Sequence, residues 1–433
     1  MMRGLTRKLV GVALTAILAT MVTANVMAKD GNWSGTGTDS NPFLIEDEAD
    51  LEVLSSNVKN SVSDYSGKYF KVSKDITITA DTWVPIGKNT AKFSGTFDGD
   101  GKTISGINTD LTRYSGLFGY NQGTIKNVNV SGTANGKYYV ALLTGYNAGT
   151  LENVSANGTV TGTSYVAGIT GYNAGTIKNA SAEGTVEAKN GYVSGIVGYN
   201  KSAKIENCYN NATITGSGGI GGIAGTSVSS STITNCYNCG SINTGENVDE
   251  RDNTHNGIGG IVGYNYDISN VYNCTNTGNI SSIVDYTGGV IGYGYNSIID
   301  GCNNTGTVSS TAESSAAIVG EGLLCKVRKC YYAKGTAEAG LNGENDSYEA
   351  YEALLAVSVG VDQHIENLAT GYYVSTNDAG SNLNLKWVVI SPKEMKTKVY
   401  EYSDVSENGK FGIIVNNLTS EDSVALCKVT TAA

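Results

Sequence analysis

The sequence predicts an all-β fold, a parallel β-helix. It would be a three-sided solenoid of about eight regular rungs of 26–29 residues, with an N-terminal helical cap and a small β-rich C-terminal region. Three observations carry that expectation. The stretch Ser115–Lys137, S-G-L-F-G-Y-N-Q-G-T-I-K-N-V-N-V-S-G-T-A-N-G-K, returns along the chain, its glycine recurring at Gly119, Gly145, Gly171, Gly198, Gly225, Gly263, Gly292 and Gly320. The steps are 26, 26, 27, 27, 38, 29 and 28 residues, a period that belongs to stacked repeats. Low charge, 56 glycines and only 3 prolines suit short strands joined by tight turns.

Each rung is written in apolar columns. The first runs Leu117, Leu143, Ile169, Ile196, Ile223, Ile261, Val290, Ile318, and the second Ile125, Leu151, Ile177, Ile205, Ile233, Val271, Ile299, Val327. The third begins at Val160 and continues through Val186, Ile214, Ile242, Ile280 and Val308. Each lies in a short β-branched run bounded by Gly, Asn or Ser, so three strands and three turns make one coil. One coil cannot bury its inner face alone, and stacking must do so.

A fourth column, Val128, Val154, Ala180, Cys208, Cys236, Cys274, Cys302, Cys330, mixes small apolar residues with thiols. Cysteine there acts as a compact interior hydrophobe. Stacked strands are close enough for disulfides, but parallel Cβ vectors are poorly aimed for the bond, which favours free buried thiols. Cys236 and Cys239 form a lone C-Y-N-C, weak as a redox or zinc motif. Asn127, Asn153, Asn179, Asn207, Asn235 and Asn273 precede the column and suit a turn where stacked amides bond each other and the backbone.

These repeats, G-L-F-G-Y-N-Q-G-T-I-K-N-V-N-V-S-G with later copies containing G-G-I-V-G-Y-N and N-C-Y-N, resemble the GLUG motif of bacterial secreted and surface proteins. W-V-P-I-G (Trp83–Gly87) and F-S-G-T-F-D-G-D-G-K-T-I-S-G-I (Phe93–Ile107) resemble the lead-in to such repeats, and the likeness covers roughly residues 34–337. It implies an extracellular β-helix of the kind found in adhesins or beside surface proteases. It carries over no catalytic residues. The copies at Gly225-Thr226 and Gly320-Glu321 lose the tyrosine.

Taken in order, residues 1–28 read as a secretory signal: Arg3, Arg7 and Lys8, then an apolar stretch from about Leu9 to Val22, then Val26-Met27-Ala28 for cleavage. The apolar core is short for a membrane span, and no cysteine follows it for lipidation. The expected product is exported, monomeric, without a span in the mature chain, and secreted or held at the cell surface by a partner. Without the signal the chain has 26 Lys+Arg against 40 Asp+Glu, a net charge near −14, which argues against nucleic acid and against polyanions in general. Residues 29–114 hold the cap and first irregular coils. Leu51, Leu54 and Val58 are helically spaced behind acids that favour a helix start. Residues 115–340 are the repeats, and 341–433 a C-terminal cap or small domain. There Ser347–Val357 reads as a helix, Tyr372–Val374 and Lys386–Ile390 as strands, and Asn408-Gly409 as a hairpin between Lys398–Tyr402 and Phe411–Val415.

Three places offer chemistry. Tyr120, Tyr146, Tyr172, Tyr199, Tyr264 and Tyr293 each lie three residues after the inward column, so alternation turns them outward as a row for a glycan or a partner protein. The bland alternative is a corner where they pack on neighbouring rungs; Asn121, Asn147, Asn173, Asn200 and Asn265 accompany them. The long rung carries an insert, Gly245–Gly257, in which Asp249, Glu250 and Asp252 could hold Ca²⁺, or which is simply a solvated excursion. Asp98 and Asp100 alternate with glycine before a strand, which favours a turn over paired acid–base carboxylates. A lyase would need a cluster of basic groups, yet only Arg113, Arg251 and Arg328 remain, and His255 and His364 are isolated. The sequence thus favours a non-catalytic, adhesin-like binder of glycan or protein. A carbohydrate-active lyase or hydrolase and a passive scaffold are the alternatives.

Overall fold

The computed structural model describes residues 33–245, 257–311, 315–333, 336, 337 and 339–360, the last as backbone from 344, and the strands 372–374, 385–391, 402–407, 410–415 and 423–429. It is a parallel β-helix of about ten turns. Neighbouring rungs pair in parallel and in register: Ile125 faces Leu151, which faces Ile177, and the column continues through Ile205, Ile233, Val271, Ile299 and Val327. All of these side chains are fully buried, as is the first column from Leu117 to Ile318. From Leu117 onward the core is therefore built of aliphatic rows running along the solenoid.

Each rung is more finely divided than three strands. One turn reads Val193–Ser194, Val197–Lys201, Lys204–Glu206, Tyr209–Asn210 and Thr213–Gly216. The extra corners fall where asparagine takes the left-handed conformation: Asn127, Asn153, Asn179, Asn207, Asn235 and Asn273 all have φ between 51° and 54°. Asparagine tolerates that region because its short amide can bond locally. The expected amide stack is present, Asn153 Nδ2 donating to Asn127 Oδ1 at 2.9 Å and Asn179 to Asn153 at 2.8 Å. Asn207 and Asn235 continue it at 3.3 Å each.

Two further amide ladders lie fully inside. Asn121, Asn147, Asn173 and Asn200 join Nδ2 to Oδ1 at 2.8–2.9 Å, and Asn210, Asn238, Asn276 and Asn304 do the same at 2.7–2.8 Å. Buried amides must be paired to be tolerated, and stacking one per rung satisfies both ends of each. Cys208, Cys236, Cys274, Cys302 and Cys330 stand in their column as free thiols, all buried. Burial pushes the Cys208 and Cys274 thiols up, so they are protonated packing groups.

The N-terminal end is closed as the sequence predicts. Glu48–Lys59 is a helix capped by Asp47, with Leu51, Leu54 and Val58 buried. Ser55 Oγ donates to the carbonyl of Val84 at 2.7 Å, pinning the helix to the first coils. Those coils are filled by aromatic rings, Phe70, Phe93, Phe97 and Phe118 among them, where later rungs use aliphatic residues.

The C-terminal end departs from expectation. Leu341–Gly360 is a strand, paired in parallel with Val319–Ala333, and the helix expected at Ser347–Val357 is absent. The open edge of the last rung offers a row of unpaired amides and carbonyls, and pairing with it outweighs local helix preference. Ser423–Val429 then pairs antiparallel with both Leu341–Gly360 and Leu385–Ser391. Tyr402–Glu407 pairs antiparallel with Lys410–Val415, so the first of these strands begins where the expected one ended, and the expected turn at Asn408-Gly409 lies outside the described residues. Tyr372–Val374 completes that small sheet.

Candidate functional site: a tyrosine-lined flank

The tyrosine column follows the inward Leu/Ile column within one short strand per rung, so parallel register puts like on like: Tyr120 on Tyr146, Tyr146 on Tyr172, Tyr172 on Tyr199. The rings stack with centroids 4.4, 4.6 and 5.2 Å apart and planes within 21°. A second column lies beside the first. Tyr114, Tyr139 and Tyr165 hold φ of 59–65° at the preceding corner and stack at 5.0–5.1 Å, and Tyr192 follows at 5.6 Å. Contacts between the columns are edge-on or tilted, as where Tyr165 meets Tyr199 at 5.5 Å and 82° and Tyr192 meets Tyr199 at 5.2 Å and 56°. Eight rings thus form one herringbone flank.

Such a flank is neither a free row nor a buried corner. Tyr146 and Tyr172 have both faces covered by neighbours, so solvent meets ring edges and hydroxyls. Offset and edge-to-face pairs of this kind are each worth about 0.5–1.5 kcal/mol. Stacking of a sugar face on an interior ring is therefore blocked, and contact must come through edges and hydroxyl groups. Tyr264 and Tyr293 form a separate run, stacked at 5.0 Å, because the rung between carries Thr226 in place of tyrosine. The companion Asn121, Asn147, Asn173 and Asn200 turn inward into a ladder, and Asn265 is likewise buried, so none of them is offered to a ligand.

Burial and mutual proximity raise the tyrosine hydroxyls. Desolvation, with the neighbouring Tyr146 second, pushes Tyr120 up to about 12, and desolvation with Tyr293 does the same for Tyr264. Tyr146, Tyr172 and Tyr199 shift the same way, burial first. A folded pKa above the unfolded one means that the stacked state keeps its full contribution below pH 10 and loses it as pH climbs through 12. Ultraviolet titration should accordingly show these phenols ionising above the usual tyrosine range, with unfolding setting in as they do.

The paired acids make no acid–base site. Asp98 Oδ1 accepts from the Asp100 amide at 2.9 Å and from Asn127 Nδ2 at 3.0 Å, and its other oxygen is 3.3 Å from Lys126 Nζ. Burial raises its carboxyl, but those hydrogen bonds and Lys126 outweigh it and hold it below the usual range. Asp100 pairs with Lys71 at 3.1 Å. Asp98 is thus the end-stop of the first asparagine ladder. Asp249, Glu250 and Asp252 lie outside the described residues. Among the described residues no three metal-ligating side chains converge, and no helix is long and apolar enough to cross a membrane.

The description "The GLUG motif" matches residues 254–281. A protein of Evansella cellulosilytica, provisionally named a Gly-rich membrane protein, is 37% identical over 108 residues, which is 23% of this chain and 12% of that relative. The chain thus spans only a small part of that relative's length. A solved structure from Bacteroides ovatus, provisionally named an immunoglobulin A1 protease, aligns with a TM-score of 0.46 at 21% identity, over 68% of this chain and 86% of that one.

Proposed function

We propose that this chain, a GLUG-repeat β-helix of the surface-protein type, is a secreted or cell-surface binding protein that holds a glycan along its tyrosine flank and does not cleave it. The carrying observation is the run of eight stacked rings, two per rung, of which all but the buried Tyr120 are partly exposed. A polysaccharide is itself a periodic chain with apolar C–H patches and hydroxyls. Ring edges supply apolar contact and phenol oxygens supply donors and acceptors, both in the amphipathic manner that favours tyrosine at interfaces. Repetition along the solenoid lets weak contacts add through effective concentration. The saturated state of Asp98 and Asp100 supports binding over hydrolysis.

The test mixes purified protein with a panel of polysaccharides and mucins, and records depletion of protein and new reducing or unsaturated ends in the same tubes. Depletion without new ends is expected. New ends that vanish when the acids of the 245–257 insert are changed would replace this reading with an enzyme.

A further inference from the structure

Resting on that glycan reading, we infer that the N-terminal end of the tyrosine flank selects carboxylated sugars, with Lys92 and Arg113 as the carboxylate partners. The chain carries 40 acids against 29 bases, and its described ion pairs employ Lys71, Lys102, Lys126 and Lys178. Lys92 and Arg113 are placed differently. Lys92 Nζ sits 4.8 Å over the Tyr120 ring, and the Arg113 guanidinium lies 5.0 Å over Tyr138 and 5.9 Å over Tyr139. Among the described residues neither forms an ion pair. Tyr114 bridges the two positions, its ring 6.2 Å from Tyr120 and stacked at 5.1 Å on Tyr139, the ring over which Arg113 also lies. A cation held on an aromatic face keeps its charge and fixes its place, so it is ready to receive an anion without first giving up a carboxylate.

The surface beside Lys92 is concave. An open cleft of about 460 Å³ lies between the end of the cap helix and the first coils, lined by Ser63, Asp64, Thr90, Lys92, Ser94 and Gln122 among others. Its lining is hydroxyl- and amide-rich, and Asp64 Oδ1 is turned to the Ser66 amide at 3.0 Å. Lys92, which lines the cleft, also lies over the Tyr120 ring, so the cleft adjoins the first ring of the flank. A cleft of this size suits one or two sugar rings. Hydroxyls would meet Thr90, Ser94 and Gln122, and a ring carboxylate would meet Lys92. The next residues of the chain would follow the tyrosine edges toward Arg113. The net negative charge of the whole protein excludes indiscriminate, salt-driven capture of polyanions and leaves recognition to these two local cations.

The deciding experiment measures binding of the purified protein to polygalacturonate, alginate and hyaluronate, each beside its methyl-esterified form, which keeps the sugar backbone and removes the charge. At least one carboxylated polymer should bind tenfold or more tightly than its ester. The double variant Lys92→Gln/Arg113→Gln should lose that preference while still binding the ester as the parent does. The control Lys178→Gln/Lys204→Gln removes equal charge away from the flank and should change neither. Equal binding of acid and ester, or an acid preference untouched by the first double variant, overturns the inference and leaves the glycan reading standing. Binding to neither form of any polymer or to any member of the wider glycan panel overturns both.

Discussion

Asn173→Ala should destabilise the protein by about 3–5 kcal/mol, as much as a large core truncation. The side chain is fully buried and sits mid-ladder. Its Oδ1 accepts from Asn147 Nδ2 at 2.8 Å and from the Gly175 amide at 3.2 Å, and its Nδ2 donates to Asn200 Oδ1 at 2.9 Å. Alanine leaves a donor on one rung and an acceptor on the next without partners, in a site that water does not reach. Each such orphan costs about 1–3 kcal/mol. Because rungs touch only their neighbours, the damage should be local. Hydrogen exchange should accelerate most in Thr144–Asn147, Thr170–Asn173 and Val197–Lys201, with a matching fall in the urea midpoint. Unchanged protection in those three strands would show that the ladder contributes little.

Gly149→Ala should cost about 3 kcal/mol by a different route. A Cβ there would stand 1.9 Å from the carbonyl oxygen of Gly123 and 2.7 Å from the carbonyl carbon of Gln122. Both are backbone atoms of the rung below, so no side chain can turn aside. The Gly123 oxygen also accepts the rung-to-rung bond from the Thr150 amide at 2.9 Å, which the methyl would push apart. Gly101→Ala is the control: its φ is +76° but nothing lies within 4 Å, so only about 1–2 kcal/mol of left-handed backbone strain is expected. Equal unfolding midpoints for the two variants would contradict close rung contact as the reason for glycine at position 149.

The solenoid was legible because stacking forces one residue type into each column, and a column is visible as a period. The aliphatic rows, the thiol row and the Asn127 ladder are all read directly this way. The same alignment holds two features that went unread. Tyr114, Tyr139, Tyr165 and Tyr192 recur with the period, yet a bulky ring at a left-handed corner, as at the first three, is an unfavoured placement that local preference does not suggest. Asn210, Asn238, Asn276 and Asn304 stand two residues after the cysteine column, and their register was the signal that could have identified a third ladder. Outward alternation for Tyr146 was right in direction but silent about stacking, since neighbouring rungs, not the strand itself, cover its faces. The strand at Leu341–Gly360 was illegible for the opposite reason: the edge that recruits it belongs to another part of the chain.

The most direct test of the tyrosine flank compares two double variants in the depletion assay. Tyr146→Ala/Tyr172→Ala removes two rings from the middle of the flank. Tyr209→Ala/Tyr237→Ala removes a stacked pair, 5.5 Å apart, from a different column of the same solenoid. The first variant breaks six ring contacts of the flank, so circular dichroism should show a larger loss of stability there than in the second, and binding is compared at a temperature where both remain folded. Binding to the captured glycan should fall at least tenfold in the first and stay at the parent level in the second. Equal binding by the two variants would contradict the flank as the ligand site.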